Sequence, residues 1–231
     1  DDEPFLAEEG YAAIWVKGQK IEEFDADENY FLTAQSIGFQ QWKDYSDIML
    51  NDPSLLAYYD FSSSDSELIN RVSDNYHGTI NEPIRVRGRW LNKAALLFDS
   101  SSNWVKVPLP NLNGDFTFQT WVSIDHFDQS IQTILNTKQN HGDLLHWQLD
   151  RSGEVHLGVK PRARFEILER NMTVGTRDWV QLSVTYHSSD NIIRCYINAT
   201  CVKETTHELG ELVLGECMLG AWQQNGKMVR G

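Results

Sequence analysis

The sequence predicts an all-β, two-sheet antiparallel sandwich preceded by an acidic hairpin-and-helix segment. Three observations predict it. From Leu55 onward, short apolar runs alternate with turn signals at Asn113-Gly114, Ser152-Gly153 and Ser188-Ser189-Asp190, with no helical stretch between them. Aromatic residues make up 11% of the 231, and aromatics favour strands. The net charge of −13 is unevenly spread, because residues 1–52 carry 13 acids and 3 bases. The break falls at Asn51-Asp52-Pro53, a turn signal, so the chain divides into an N-terminal segment 1–52 and a globular domain 53–231.

In the first segment, Tyr11 to Val16 reads as a strand, Lys17-Gly18-Gln19-Lys20 as its turn and Ile21 to Phe24 as the return. Asp27 caps a helix expected from about Asn29 to Leu50. Phe31, Ala34, Gly38, Trp42, Tyr45 and Met49 recur at helical spacing, a stripe that should bury Phe31, Trp42 and Tyr45 against the domain. Gly38 costs the helix about 1 kcal/mol relative to Ala, which points to close packing there.

In the domain, strands are expected at Leu56–Phe61, Ala94–Phe98, Trp104–Val107, Asp115–Ile124, Leu144–Leu149, Val155–Val159, Arg164–Leu168, Trp179–Tyr186, Ile192–Ile197 and Leu212–Leu214. Phe116, Phe118, Val122 and Ile124 face one way; Thr117, Gln119 and Ser123 face the other.

Six segments carry a family resemblance. Leu56-Ala57-Tyr58-Tyr59-Asp60-Phe61 resembles the opening strand of laminin-G-like, concanavalin-A-like jelly rolls. Asp74-Asn75-Tyr76-His77-Gly78-Thr79 is similar to a turn of that family, and Val86-Arg87-Gly88-Arg89-Trp90 with Lys93 to Asp99 to a later segment. Phe116 to Val122, Trp179 to Tyr186 and Ile193 to Asn198 resemble three of its strands. The resemblance implies a jelly roll of the concanavalin A-like lectin/glucanase type, with Trp121 and Trp179 in the core, whose members bind sugars, proteins or no known ligand. The expectation is a non-catalytic module for a carbohydrate or protein ligand, with a glycan-cleaving enzyme of that type or a purely structural interaction domain as the alternatives. The whole chain also resembles FecR-like envelope proteins with a C-terminal laminin-G-like domain. That implies an upstream domain, with a signal or membrane anchor before it, and an extracytoplasmic setting, periplasmic or at the cell surface.

The chain departs from the family at three places. Ser100-Ser101-Ser102-Asn103 follows Asp99 where members have Gly and further acids. Asn198-Ala199 replaces an Asn-Gly turn; Ala disfavours the positive φ of a two-residue hairpin turn, so a three-residue loop is the alternative. Met228-Val229-Arg230-Gly231 resembles the entry to a closing strand beside Leu56–Phe61, and the natural chain is expected to continue.

Composition narrows function. With 41% apolar residues the chain can bury a core. An acidic surface repels phosphate backbones, which argues against nucleic acid as a partner. No apolar run reaches the roughly 18 residues of a membrane span. Glu23, Asp25 and Glu28 match the Glu-x-Asp-x-x-Glu pattern of jelly-roll glucanases, but they lie in the acidic segment before the sandwich and read as a solvated turn. Domain 53–231 shows no catalytic carboxylate pattern, so no enzyme is expected.

The binding candidates are Trp104, Trp147 and Trp222, whose rings would stack on a sugar, with His141 and His146 flanking Gly142-Asp143. The plainer reading of each is core or surface strand. Calcium suits the oxygens of Asp74 and Asn75 in one loop and Asp99 and Asn103 in another. Turn chemistry explains the same residues and outweighs it, since Ser replaces the family's extra acids. Cys195, Cys201 and Cys217 leave at least one free thiol within the chain. A two-residue turn at Asn198-Ala199 would set Cys195 and Cys201 on opposite faces, leaving Cys195–Cys217 and Cys201–Cys217 open. Asn171 and Asn198 head glycosylation sequons, which mark surface loops only in a secreted eukaryotic chain.

Overall fold

A computed structural model describes residues 11–16, 19–25, 28–62, 66–82, 84–90, 93–100, 102–127, 131–137, 144–160, 178–224 and 227–230. The N-terminal segment forms the expected hairpin, β1 (Tyr11–Val16) with β2 (Gln19–Asp25), and then helix α1 (Glu28–Leu50). The domain follows with β3 (Glu67–Leu68), β4 (Gly78–Asn81), β5 (Ile84–Arg87), β6 (Ala94–Leu97), β7 (Trp104–Leu109), β8 (Phe116–Ser123) and β9 (Ile131–Thr137). It continues through β10 (Leu144–Asp150), β11 (Val155–Lys160), β12 (Trp179–His187), β13 (Ile192–Ile197), β14 (Thr200–Thr206), β15 (Gly215–Leu219), β16 (Ala221–Gln224) and β17 (Lys227–Arg230).

Two antiparallel sheets make the sandwich. One has seven strands in the order β11-β10-β9-β15-β7-β4-β3; the other has four, β14-β13-β12-β8. Alternating residues meet between them. Val105, Val107, Leu145, Trp147, Leu149, Leu157 and Cys217 come from the larger sheet, and Val180, Leu182, Val184, Ile193 and Cys195 from the smaller; all are buried in one cluster. Burying a large apolar side chain stabilises by about 1.5–3 kcal/mol, so this layer dominates the stability of the domain.

Helix α1 docks through Gly38, Trp42 and Ser46, which lie four residues apart. A Cβ on Gly38 would sit 2.7 Å from the Trp90 ring, so glycine is what admits the indole. Lys93 Nζ lies 4.6 Å from the Trp42 ring centre, and Ser46, buried, shares a 3.0 Å hydrogen bond with the Tyr58 hydroxyl. Tyr45 does not join this face. It is 50% exposed, because it lies one residue, about 100° of helix turn, away from Ser46, the residue that meets the domain at this level. Trp42 is half-buried, and the Phe31 side chain lies outside the described residues.

Several other expectations need correcting. Leu56–Phe61 is not a ladder strand. The Tyr58 N–H donates to Asn70 Oδ1 at 2.9 Å and the Tyr58 carbonyl accepts from the Arg71 N–H at 2.9 Å, so a turn occupies its backbone. Lys227–Arg230 pairs with Ala221–Gln224 as a hairpin, and among the described residues Tyr11–Val16 pairs with Gln19–Asp25 and not with Leu56–Phe61. At Leu212–Leu214 there is a single bridge, Leu112 to Leu212, and the strand begins at Gly215. Asn198-Ala199 is a two-residue turn after all. Both residues take positive φ, 48° and 64°, while Asn198 is pinned to Gln181 by a reciprocal pair of bonds at 2.9 and 3.0 Å. Cys195 faces Lys203 across a bulge; it and Cys217 are buried, Cys201 is exposed, and all three thiols are free. Arg164–Leu168 lies outside the described residues.

Trp121 and Trp179 also leave the core. Trp121 pairs with Gln181 and Trp179 with Ser123, on the face opposite buried Val180 and Leu182. The Arg89 guanidinium covers the Trp121 ring at 3.6 Å and reaches Trp90 at 4.7 Å.

Candidate functional site

The outer face of the seven-stranded sheet holds a groove of about 280 Å³ lined by His77, Thr79, Trp104, Lys106, Pro108 and Glu216. Strand alternation builds it. Val105 and Val107 are buried on the inner face of β7, so Trp104, Lys106 and Pro108 project outward. Thr79 on β4 pairs with Lys106, and Glu216 on β15 pairs with Pro108, which brings residues 137 positions apart into one site. Gly78 lets β4 close on β7: an added Cβ would lie 2.6 Å from the Lys106 carbonyl oxygen and 2.8 Å from a Val107 methyl.

Inside the groove, Lys106 Nζ stands 3.6 Å from Glu216 Oε1 and 5.0 Å from the Trp104 ring centre. His77 accepts the Asn70 backbone N–H on Nδ1 at 2.9 Å. With that nitrogen acting as acceptor, the neutral ring carries its proton on Nε2. The groove therefore offers an indole with the Lys106 ammonium over its ring, a carboxylate, a hydroxyl and an imidazole. That set matches a ligand with both apolar faces and hydroxyl groups.

Of the residues singled out from sequence, Trp104 lies in this groove. His146 shares the outer face but stands three strands from Lys106 through the ladder Lys106–Met218–Asn136–His146, roughly 14 Å at ordinary strand spacing. Trp147 is 2% exposed and belongs to the core. Trp222 is on β16 with its side chain outside the described residues, as is His141 altogether.

Among the residues singled out for metal, Asn103 is buried and spends its amide on a turn. Its Oδ1 accepts the Asp99 and Ser100 N–H groups at 2.9 and 2.8 Å, and its Nδ2 donates to the Glu82 carbonyl at 2.8 Å. Asp99, Asp74 and Asn75 are exposed, and the Asn75 carbonyl accepts from Asn70 Nδ2 at 2.9 Å. Metal-type ligand atoms converge elsewhere, on the β10–β11 turn. Atoms of Asp150, Glu154 and His156 lie within 4.8 Å of one another. Asp150 Oδ2 meets His156 Nε2 at 3.2 Å, while Oδ1 accepts from the Ser152 N–H, the Ser152 hydroxyl and the Glu154 N–H. Burial pushes the Asp150 carboxyl up, but these bonds override it and leave the pKa below the ordinary value.

Glu23 and Asp25 fall on β2 and Glu28 opens α1, on neither sheet of the sandwich. Sequence reasoning missed His77, Thr79, Lys106 and Glu216. The signal for Lys106 was the alternation Trp-Val-Lys-Val-Pro; nothing local marks Glu216.

Residues 99–229 match the concanavalin A-like lectin/glucanases superfamily, more than half of the chain. The chain belongs to that superfamily. Among solved structures it is similar to domain 4 of AbnA, an extracellular GH43 arabinanase from Geobacillus stearothermophilus solved with arabinotriose. The two are 13% identical with a TM-score of 0.56, over 75% of this chain and 86% of that one. It is also similar to the Trypanosoma rangeli sialidase solved with sialic acid, at 10% identity and a TM-score of 0.54, over 95% of this chain and 40% of that one. At these identities the likeness shows the concanavalin A-like fold alone. No curated protein matches the chain.

Proposed function

We propose that this concanavalin A-like domain is a non-catalytic carbohydrate-recognition module of an extracytoplasmic protein. The observation that carries the reading is the Trp104 groove, where an indole lies beside the Lys106–Glu216 pair, Thr79 and His77. Pyranose and furanose rings have apolar CH faces that pack on aromatics, and hydroxyl rims that need both donors and acceptors. Glycoside hydrolysis ordinarily needs two carboxyl groups about 5–9.5 Å apart, and among the described residues the groove's lining has one, Glu216. That supports recognition without cleavage. The acidic hairpin-and-helix segment ahead of the domain supports the wider reading, the sensory or adhesive end of a FecR-like envelope protein.

A glycan array probed with the wild-type chain and Trp104→Ala tests the proposal, with arabinotriose as the first soluble probe. Binding that Trp104→Ala reduces at least tenfold, with no release of reducing ends, is the expected result. Reducing ends released by the wild-type chain would instead establish an enzyme. Glycan binding that Trp104→Ala leaves unchanged would move the site elsewhere on the sandwich.

A further inference from the structure

We infer that the Trp104 groove selects one neutral sugar unit with adjacent hydroxyls and rejects acidic sugars; this rests on the carbohydrate reading above. Among the described residues, the groove contains one cation and one anion, Lys106 and Glu216, 3.6 Å apart. Each compensates the other. An acidic sugar is held by an uncompensated cation, best by the two-pronged guanidinium of Arg, and the described residues that line the groove include no Arg. An incoming carboxylate would have to displace Glu216 from Lys106 and then lie beside it. The long-range field acts the same way, since the chain carries a net charge of −13.

Neighbouring hydroxyls suit this pair. Each hydroxyl both donates and accepts, so one accepts from the Lys106 ammonium while the next donates to the Glu216 carboxylate. The imidazole adds direction. The Asn70 N–H occupies His77 Nδ1 at 2.9 Å, which leaves Nε2–H as the ring's donor to a third oxygen. Thr79 supplies a hydroxyl that adapts to either role. At about 280 Å³ the groove sits just under the size range of drug-like ligand pockets, which limits recognition to one unit of a longer glycan.

Glu216→Gln provides the test, because it removes the compensating charge and keeps the shape. A glycan array of neutral and acidic oligosaccharides identifies the best neutral ligand. Calorimetry then compares that ligand with sialyllactose and trigalacturonate on both forms of the whole chain. The expected result is neutral binding by the wild-type chain, a loss of about tenfold in Glu216→Gln, and a gain of acidic-glycan binding by the same variant. Acidic glycans binding the wild-type chain better than neutral ones, in a manner lost with Trp104→Ala, would overturn this selectivity while sparing the carbohydrate reading. The absence of any glycan binding would overturn both.

Discussion

Asn70 shows how one side chain replaces a strand. It is 3% exposed. Its Oδ1 accepts the Tyr58 and Val72 N–H groups at 2.9 and 3.2 Å, and its Nδ2 donates to the Leu56 and Asn75 carbonyls at 3.2 and 2.9 Å. Its own N–H orients His77 in the groove. Asn70→Ala strips these partners, and stranded buried groups cost about 1–3 kcal/mol each. A destabilisation of about 3 kcal/mol by urea unfolding is expected; a loss under 1 kcal/mol would show that water replaces the amide. Two buried thiols and a partly buried phenol shape the response to alkali. Burial pushes the Cys195 and Cys217 thiols up to about 12, with smaller pushes from Cys201 and Glu216 respectively. Burial, aided by Cys217, pushes Tyr59 up to about 12. In the unfolded chain the thiols ionise near 9.0 and the phenol near 10.0. Between those values and about 12 the folded state holds more protons, so stability is intact below about pH 9 and falls as pH rises. The urea midpoint should decline steadily above pH 9 and decline less in Cys217→Ala. A flat profile would mean the thiols are solvated.

Helix α1 is a separate element clamped along one face by Gly38, Trp42 and Ser46. Gly38 admits the Trp90 ring, Lys93 bridges from Trp42 to Asp60, and Arg71 reaches Asp60 as well, at 3.4 and 3.5 Å. Burial raises the Asp60 carboxyl, yet Ser62 and the two cations together bring it below the ordinary range. Gly38→Leu should expel Trp90 and release the helix. Trypsin cleavage after Lys43, already exposed, should then run at least tenfold faster, while the melting of the sandwich changes little. An unchanged cleavage rate would show that Trp42 and Ser46 hold the helix unaided. The helix and Gly38's close contact were legible because a 3.6-residue period and an ill-suited glycine are local signals. Tyr45 was misplaced because Ser46, a small polar residue, belongs to the docked face and breaks the apolar stripe. Among strands, β8, β12 and β13 were legible from clean alternation. β4, β9 and β14 were not, since Gly-Thr-Ile-Asn, Ile-Gln-Thr-Ile-Leu-Asn-Thr and Thr-Cys-Val-Lys-Glu-Thr-Thr mix polar residues into both faces.

At the scale of the molecule, each sheet presents an outer face with tryptophan. The four-stranded sheet shows Trp121 and Trp179, with Trp121 already covered by Arg89. The seven-stranded sheet shows Trp104 at a groove with unlike charges beside it. Trp104 was legible as a candidate from its residue type, and the rest of the groove was not. His77, Lys106 and Glu216 come from three separate parts of the chain, and only the β4-β7-β15 pairing unites them. The charge asymmetry was legible in the sequence itself, where 13 acids against 3 bases concentrate the net negative charge in the segment ahead of the sandwich. The most direct test of the Trp104 groove is a crystal structure of the chain soaked with the neutral oligosaccharide that binds best. The expected result is one sugar ring packed on Trp104, with hydroxyls bonded to Lys106, Glu216 and His77. A sugar seated instead on the Trp121–Trp179 face, with the Trp104 groove empty, would contradict it.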